Sequence, residues 1–245
     1  MLPAAFAATI DAGLGAIYGT VLSERDRRVI DAHVRLLLAW NRAINLTAIR
    51  DAEAIAREHV LDSLTALPIL RRAGVDEFAD LGSGAGFPGL PLAAALPARR
   101  ALLVESVGKK ARFLETVLGA VELPAVGVAA TRAERLAADP RHREGWRAVV
   151  ARAVTDLADL AELAVPLLRP GGLLVAWKRV PLHEELARAE RALPQLRARI
   201  VGLEPVTVAG LADHVLVVLE KTGETPARFP RDPAARRRQP LGGRL

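Results

Sequence analysis

The chain has 245 residues, 51% of them hydrophobic and 25% charged, with no cysteine and a formal net charge of +6. That length and apolar content support one α/β domain of ordinary size with a smaller appendage. Absence of cysteine excludes disulfides, thiolate metal sites and cysteine nucleophiles, and it suits a reducing, cytoplasmic setting. The opening MLPAAFAATIDAGLGAIYGTVL is apolar, but it has no basic n-region and carries Asp11, which argues against a signal peptide. No charge-free run is long enough for a membrane span.

Ser23-Glu24-Arg25-Asp26 reads as a capping box, with Ser23 as N-cap and Asp26 returning at N3. The helix it opens carries an apolar stripe at Ile30, Val34, Leu37 and Leu38. After WNRAINLTAI, a second helical stretch is expected near Asp51–Leu70, ending before Gly74, so residues 1–74 read as a helical cap.

From Val75 the pattern changes to short apolar runs alternating with helical ones. Strands are expected at Val75–Leu81, Ala101–Glu105, Ala125–Ala130, Ala148–Ala151, Gly172–Trp177, Ile200–Val208 and His214–Glu220. Helices are expected near Pro88–Leu96, Lys109–Ala120, Arg132–Ala138, Asp156–Leu168 and Leu182–Leu193. Such alternation implies a mostly parallel sheet, because parallel neighbours need a crossover helix. The last two runs are joined by a loop too short for a helix, so the final strand is expected to be antiparallel. This sets the α/β region at 75–221. Residues 222–245 form a Pro/Arg-rich tail with little core of its own; from Lys221 onward, seven basic residues stand against two acidic ones.

Candidate chemistry centres on DLGSGAGFPG, residues 80–89, between a strand and a helix. Read from Gly84, it satisfies the dinucleotide pattern G-x-G-x-x-G; read from Asp80, it is D-x-G-x-G-x-G. Glycines here allow a tight turn and close approach to a ligand, and Pro88 near the first helical position is tolerated. Glu105, 19 residues beyond Gly86, stands where an acid accepts both ribose hydroxyls. Both registers use such an acid, so these residues alone indicate an adenosine binder. Asp80 favours a cofactor carrying ammonium and sulfonium charges over a pyrophosphate, which a nearby carboxylate would repel. The alternatives are therefore a methyltransferase, a nicotinamide-dependent oxidoreductase, and a non-catalytic RNA-binding factor that keeps the cofactor fold. A P-loop fails because Leu90-Pro91 stand where Lys-Ser/Thr is required, and the five histidines show no metal-ligand spacing.

In order along the chain, WNRAINLT, HVLDS, DLGSGAGFPGLPLA, VESVGKKARFL, TRAERL, ARAV, LLRPGG and HVLVVLEK resemble the bacterial small-subunit rRNA guanine-N7 methyltransferases, the RsmG (GidB) family. The resemblance runs from about Ser23 to the tail and implies a class I, Rossmann-like fold whose cofactor is S-adenosyl-L-methionine. It further implies transfer to N7 of a guanine of 16S rRNA, at the site usually numbered 527, on the rRNA or the 30S subunit; separately, no metal and a monomeric state are expected. Cofactor contacts would fall on Gly82 and Phe87, on Glu105, Ser106 and Val107, on Ala133 and Glu134, and on Arg152, with Gly84 and Gly86 completing the loop. No catalytic acid or base is named, because guanine N7 already carries a lone pair. Candidate RNA contacts are Asn41, Asn45, Lys109, Lys110, Arg112, Arg236, Arg237 and Arg238. Trp40 fits the cleft or the core, and His59, Asp62 and Ser63 share a helical face that suits a structural cluster or an RNA contact.

Overall fold

A computed structural model of the chain describes residues 2–243, so Arg244 of the basic tail lies outside the described residues. The cap begins with α1 (Ala4–Leu14) and α2 (Glu24–Trp40), and Ser23 and Asp26 form the expected reciprocal capping box. α2 buries Val29, Ile30, His33, Val34 and Leu37. The second cap stretch is not one helix: α3 (Ala52–Ile55) widens into a π-helical segment (Ala56–Leu61), tightens into α4 (Asp62–Leu64), and restarts as α5 (Leu67–Arg72). A π segment turns side chains out of ordinary helical register, often at functional sites. Glu58 and His59 of this segment, and Asp62 directly after it, meet Arg152 of the sheet.

The α/β unit then runs β1 (Glu77–Leu81), α6 (Gly89–Ala95), β2 (Arg100–Val104), α7 (Gly108–Ala120), β3 (Val126–Ala129), α8 (Ala133–Ala138) and β4 (Trp146–Arg152). It continues with α9 (Leu157–Ala164), β5 (Leu168–Arg179), α10 (His183–Leu196), β6 (Ala198–Pro205) and β7 (His214–Lys221), and ends with α11 (Pro233–Arg238) in the tail. Asp156 caps α9 through bonds from Ala158 and Asp159 N–H groups.

Seven strands make one sheet in the order β3-β2-β1-β4-β5-β7-β6. β1 through β5 pair in parallel, and β7 is antiparallel to both β5 and β6, as the short final connection requires. β7 lies inside the sheet and leaves β6 at the edge. Strand alternation divides the core. Phe78, Ala148, Val150, Val175 and Trp177 face the cap with α6 and α7; Ala79, Val149, Ala151, Leu174 and Val217 face α8, α9 and α10.

The tail departs from expectation. Phe229 and Leu241 are buried in the second of these cores, and Arg231 forks onto the fully buried Glu162 carboxylate at 2.8 and 2.7 Å. The composition concealed this because two apolar anchors and one buried acid are enough to dock an otherwise polar segment.

Candidate functional site

Strand order reverses between β1 and β4, and in an open α/β sheet a ligand crevice forms beyond the carboxyl ends of the strands at such a point. A cleft of ≈ 500 Å³ lies there, lined from the loop after β1 (Gly82, Gly84, Phe87), the end of β4 (Arg152), the end of β5 (Trp177) and the cap (Thr47, His59).

The glycine loop owes its shape to conformations closed to other residues: φ is +73° at Gly82, +56° at Gly84 and +93° at Gly86. A β-carbon on Gly84 would find nothing nearer than Gly82 O at 3.8 Å, so this backbone is open to a ligand. Gly86 is different, because a β-carbon there would strike Leu90 and approach His33 Nε2 to 2.9 Å. It permits close packing and does not line the cleft. The glycine N–H groups are occupied within the protein. Gly82 donates to Val104 O at 2.9 Å, Gly84 to Glu105 Oε2 at 2.9 Å and Gly86 to Ser83 O at 2.7 Å. The first two bonds tie the loop to the end of β2, and the third closes it upon itself.

Asp80 requires a correction. It is fully buried, and its Oδ2 accepts from Gly89 N at 3.0 Å, so it caps α6 from beneath and does not face the cleft. Burial pushes its carboxyl up to about 7. Oδ1 has no partner in the structure, which a protonated carboxyl tolerates better than a carboxylate. Pro88 is the N-cap of α6, one position before the place expected for it.

Glu105 bridges two segments: Oε2 accepts from Gly84 and Oε1 from Val107 N at 2.7 Å. The acid at the end of β2 is thus fixed beside the glycine loop, with Ser106 and Val107 exposed after it. Ala133 and Glu134 open α8 beyond β3. The Glu134 carboxylate, however, is taken by Arg236 of the tail in a second cavity of ≈ 320 Å³. Arg236 therefore has an internal partner, whereas Arg237 and Arg238 are exposed.

Arg152 ties the sheet to the cap. Its Nη1 donates to Asp62 Oδ2 at 2.7 Å and to Glu58 O at 3.0 Å, and its Nη2 lies 3.2 Å from His59 Nδ1. Asp62, buried, also accepts from His214 Nδ1 through Oδ1 at 2.8 Å, and its carbonyl accepts from Trp177 Nε1 at 2.8 Å. His59 stacks on Phe87 with ring centroids 4.7 Å apart, and desolvation, then the adjacent Arg152 charge, hold its pKa down to about 4. His59 and Asp62 are thus a structural cluster in the cleft wall, and the buried Ser63 hydroxyl donates to the His59 carbonyl. Ala153, next to Arg152, takes φ = +56°, a strain on the order of 1 kcal/mol stored at the crevice.

Asn41 is not free to meet a base: it is buried, its Oδ1 accepts from Leu46 and Thr47 N–H groups, and its Nδ2 donates to Thr47 O. Trp40 packs edge-on against Phe113 at 5.6 Å, the core placement. Asn45, Lys109 and Arg112 are exposed and Lys110 is half-buried. Sequence reading missed Thr47, Trp177 and His214. The last two had a signal, since an antiparallel β7 starts at the edge where the parallel strands end, and it pairs His214 with Arg179.

Among the described residues, no group of three or more His, Cys, Asp or Glu could hold a metal, and no helix is long and apolar enough to cross a membrane. The backbone opening at Gly84 and the fixed Glu105 fit a ligand with a ribose and a short charged arm, as S-adenosylmethionine has.

Known proteins bear this out. The solved structure of a branched-chain polyamine synthase variant from Thermus thermophilus superposes with a TM-score of 0.57 at 16% identity, covering 79% of this chain and 64% of its own. A Klebsiella pneumoniae structure described as a candidate O-methyltransferase gives 0.55 at 16% identity, covering 88% and 97%. These likenesses establish the class I methyltransferase fold. Ribosomal RNA small subunit methyltransferase G of Roseiflexus sp. (strain RS-1) is 44% identical over 219 residues, 88% of this chain and 93% of that one. The protein of the same name from Deinococcus deserti is 43% identical over 207 residues, 84% and 85%. The family model for GidB, described as rRNA small subunit methyltransferase G, matches residues 26–205. With that match running from the second helix to the end of the sixth strand, the chain belongs to the rRNA small subunit methyltransferase G family, whose members are S-adenosylmethionine-dependent rRNA methyltransferases.

Proposed function

We propose that the chain methylates N7 of a guanine in 16S rRNA, at the position usually numbered 527, yielding N7-methylguanosine and S-adenosylhomocysteine. One observation carries this choice of atom: the two titratable side chains packed around Arg152, His59 and Asp62, are already committed. His59 has both ring nitrogens engaged and stays neutral well below pH 7, and Asp62 has both carboxylate oxygens bonded. Neither is free to remove a proton. Guanine N7 needs none removed, because its lone pair is available at neutral pH.

Bound S-adenosylmethionine supplies an electrophilic methyl group on a sulfonium. The chain's own task is to position and to exclude water, which can account for several kcal/mol of barrier. Glu105 takes the ribose hydroxyls in place of the Gly84 and Val107 N–H groups it now accepts. Ser106 and Val107 flank the ribose, backbone groups of Ala133 and Glu134 read the adenine edge, and Gly82 and Phe87 hold the methionine end. Arg152, its charge balanced by Asp62, closes the wall between cofactor and base.

N7 faces the deep groove of A-form RNA, so the target guanine must lie in a loop or be turned out. Lys109, Lys110, Arg112, Arg237 and Arg238, with Asn45 beside the cap loop, are the surface groups proposed to hold the phosphates. Such an enzyme works in the cytoplasm, as a monomer and without metal, on 16S rRNA or on the 30S subunit. Incubation of the purified protein with S-adenosylmethionine and each of those two unmethylated substrates, followed by mass mapping of the RNA, tests the reading. N7-methylguanosine at the proposed position is expected; methyl transfer to another atom, or none to either substrate, would overturn it.

A further inference from the structure

The tail is fastened on both sides of α11, and what it delivers between the fastenings is one guanidinium. On the near side Phe229 is buried, Arg143 donates to the carbonyls of Thr225 and Phe229 at 3.0 and 2.8 Å, and Arg231 forks onto Glu162. On the far side Leu241 is buried, and Arg188 and Arg191 donate to the carbonyls of Leu241 and Gly242 at 3.0 and 2.8 Å. Asp232 opens α11 between these anchors, its carboxylate accepting from the Ala234 and Ala235 N–H groups at 2.9 and 3.0 Å. One turn on, Arg236 reaches out to Glu134 of α8, and the two side chains are only 14% and 17% exposed.

The element that receives this bond has little support of its own. α8 is six residues long, its N-cap Arg132 supplies no side-chain bond, and it buries only Leu136 and Ala137. The strand before it, β3, lies at the edge of the sheet, and each of its residues is half-buried. A helix this short depends on tertiary contacts to hold its place. An ion pair enclosed as this one is escapes most of the screening that weakens a surface pair. Arg236 therefore supplies a directed bond where the chain is otherwise lightly held.

We propose that Arg236 is a positioning residue for the cofactor: its bond to Glu134 holds the backbone of Ala133 and Glu134 where it reads the adenine edge. This rests on the reading above, in which those two residues contact adenine. Arg236 acts through Glu134 and does not itself touch the cofactor. A guanidinium that the composition of the tail offers to RNA is thereby committed to the cofactor site, and the tail becomes a brace for the edge of the sheet where adenine sits.

The test measures, by calorimetry on the full chain, the affinities of S-adenosylhomocysteine and S-inosylhomocysteine. The second compound has a carbonyl in place of the amino group and a proton on N1, so the two differ only at the edge that is read. Wild type is expected to prefer the adenosyl compound by about tenfold, the worth of one buried hydrogen bond. Arg236→Ala is expected to lose about tenfold on the adenosyl compound and little on the inosyl one, a loss within the range of coupling between contacting residues. Glu134→Gln should do the same, and the double variant should lose no more than either single one. A merely structural role would lower both affinities together and keep the preference intact. That result, unchanged affinities, or losses that multiply in the double variant would overturn the proposal, and a Glu134→Gln protein that keeps the full preference would do so even if Arg236→Ala failed to fold. Equal binding of the two compounds by wild type would instead defeat the underlying reading that the adenine edge is recognised.

Discussion

Asp80, His33 and His59 titrate in opposite directions across the mildly acidic range. Burial raises Asp80 from 3.8 to about 7, so between those values the folded state holds a proton that the unfolded state releases, and stability falls as pH rises. Burial lowers His33 and His59 from 6.5 to about 4, so in that window the unfolded state binds protons that the folded state refuses, and stability falls as pH drops. Between pH 4 and 6.5 the two histidines outweigh the one acid, and for these three groups acidification is net destabilising. Asp80→Asn should therefore steepen the loss of stability below pH 6.5 and abolish the decline between pH 6.5 and 7, whereas His33→Gln should flatten the acid limb. Urea denaturation midpoints at half-unit pH intervals measure both. An unchanged profile in Asp80→Asn would mean that the acid titrates normally.

At the scale of elements, the tail behaves as part of the fold. Arg231→Ala leaves Glu162 as a fully buried carboxylate without its cation, and about 3–5 kcal/mol of stability should be lost, visible as a lower denaturation midpoint. Deleting the whole tail would mix that loss with any loss of RNA contact, so the exposed pair is the better probe. In Arg237→Ala combined with Arg238→Ala, the plot of log affinity for 16S rRNA against log salt should flatten by about one to two, with the midpoint of unfolding unmoved. The elements differed in how openly the sequence declared them. The capping box of α2, the alternation of strands and helices and the antiparallel β7 follow from short-range rules and were legible. The π segment between Ala56 and Leu61 was not, because nothing in AREHVL breaks an ordinary helical pattern; the pull comes from Arg152 and His214, distant in sequence. Asp80 reads as a cleft residue in sequence for a different reason: only the tight turn of the glycine loop brings the N–H of Gly89 back over its carboxyl.

For the whole molecule, one carboxylate gathers three strand ends onto the cap. Asp62 meets Arg152 and His214, and its carbonyl meets Trp177, so three strand ends converge on one turn of the cap. Asp62→Ala should cost about 3–5 kcal/mol, since Arg152 is left unpaired in a site where its side chain is 15% exposed. Hydrogen exchange should show where: amides of residues 52–64 should lose far more protection than those of α9 and α10, and equal losses in both would refute the coupling. Trp177 has an optical consequence. Of the three tryptophans, Trp40 rests on Phe113 and Trp146 lies beneath Arg100, while Trp177 forms the wall of the cleft with its indole N–H held by the cap. A ligand entering the cleft, or a cap lifting from it, changes the surroundings of that indole first, so the protein carries its own fluorescent gauge of occupancy and needs no attached dye.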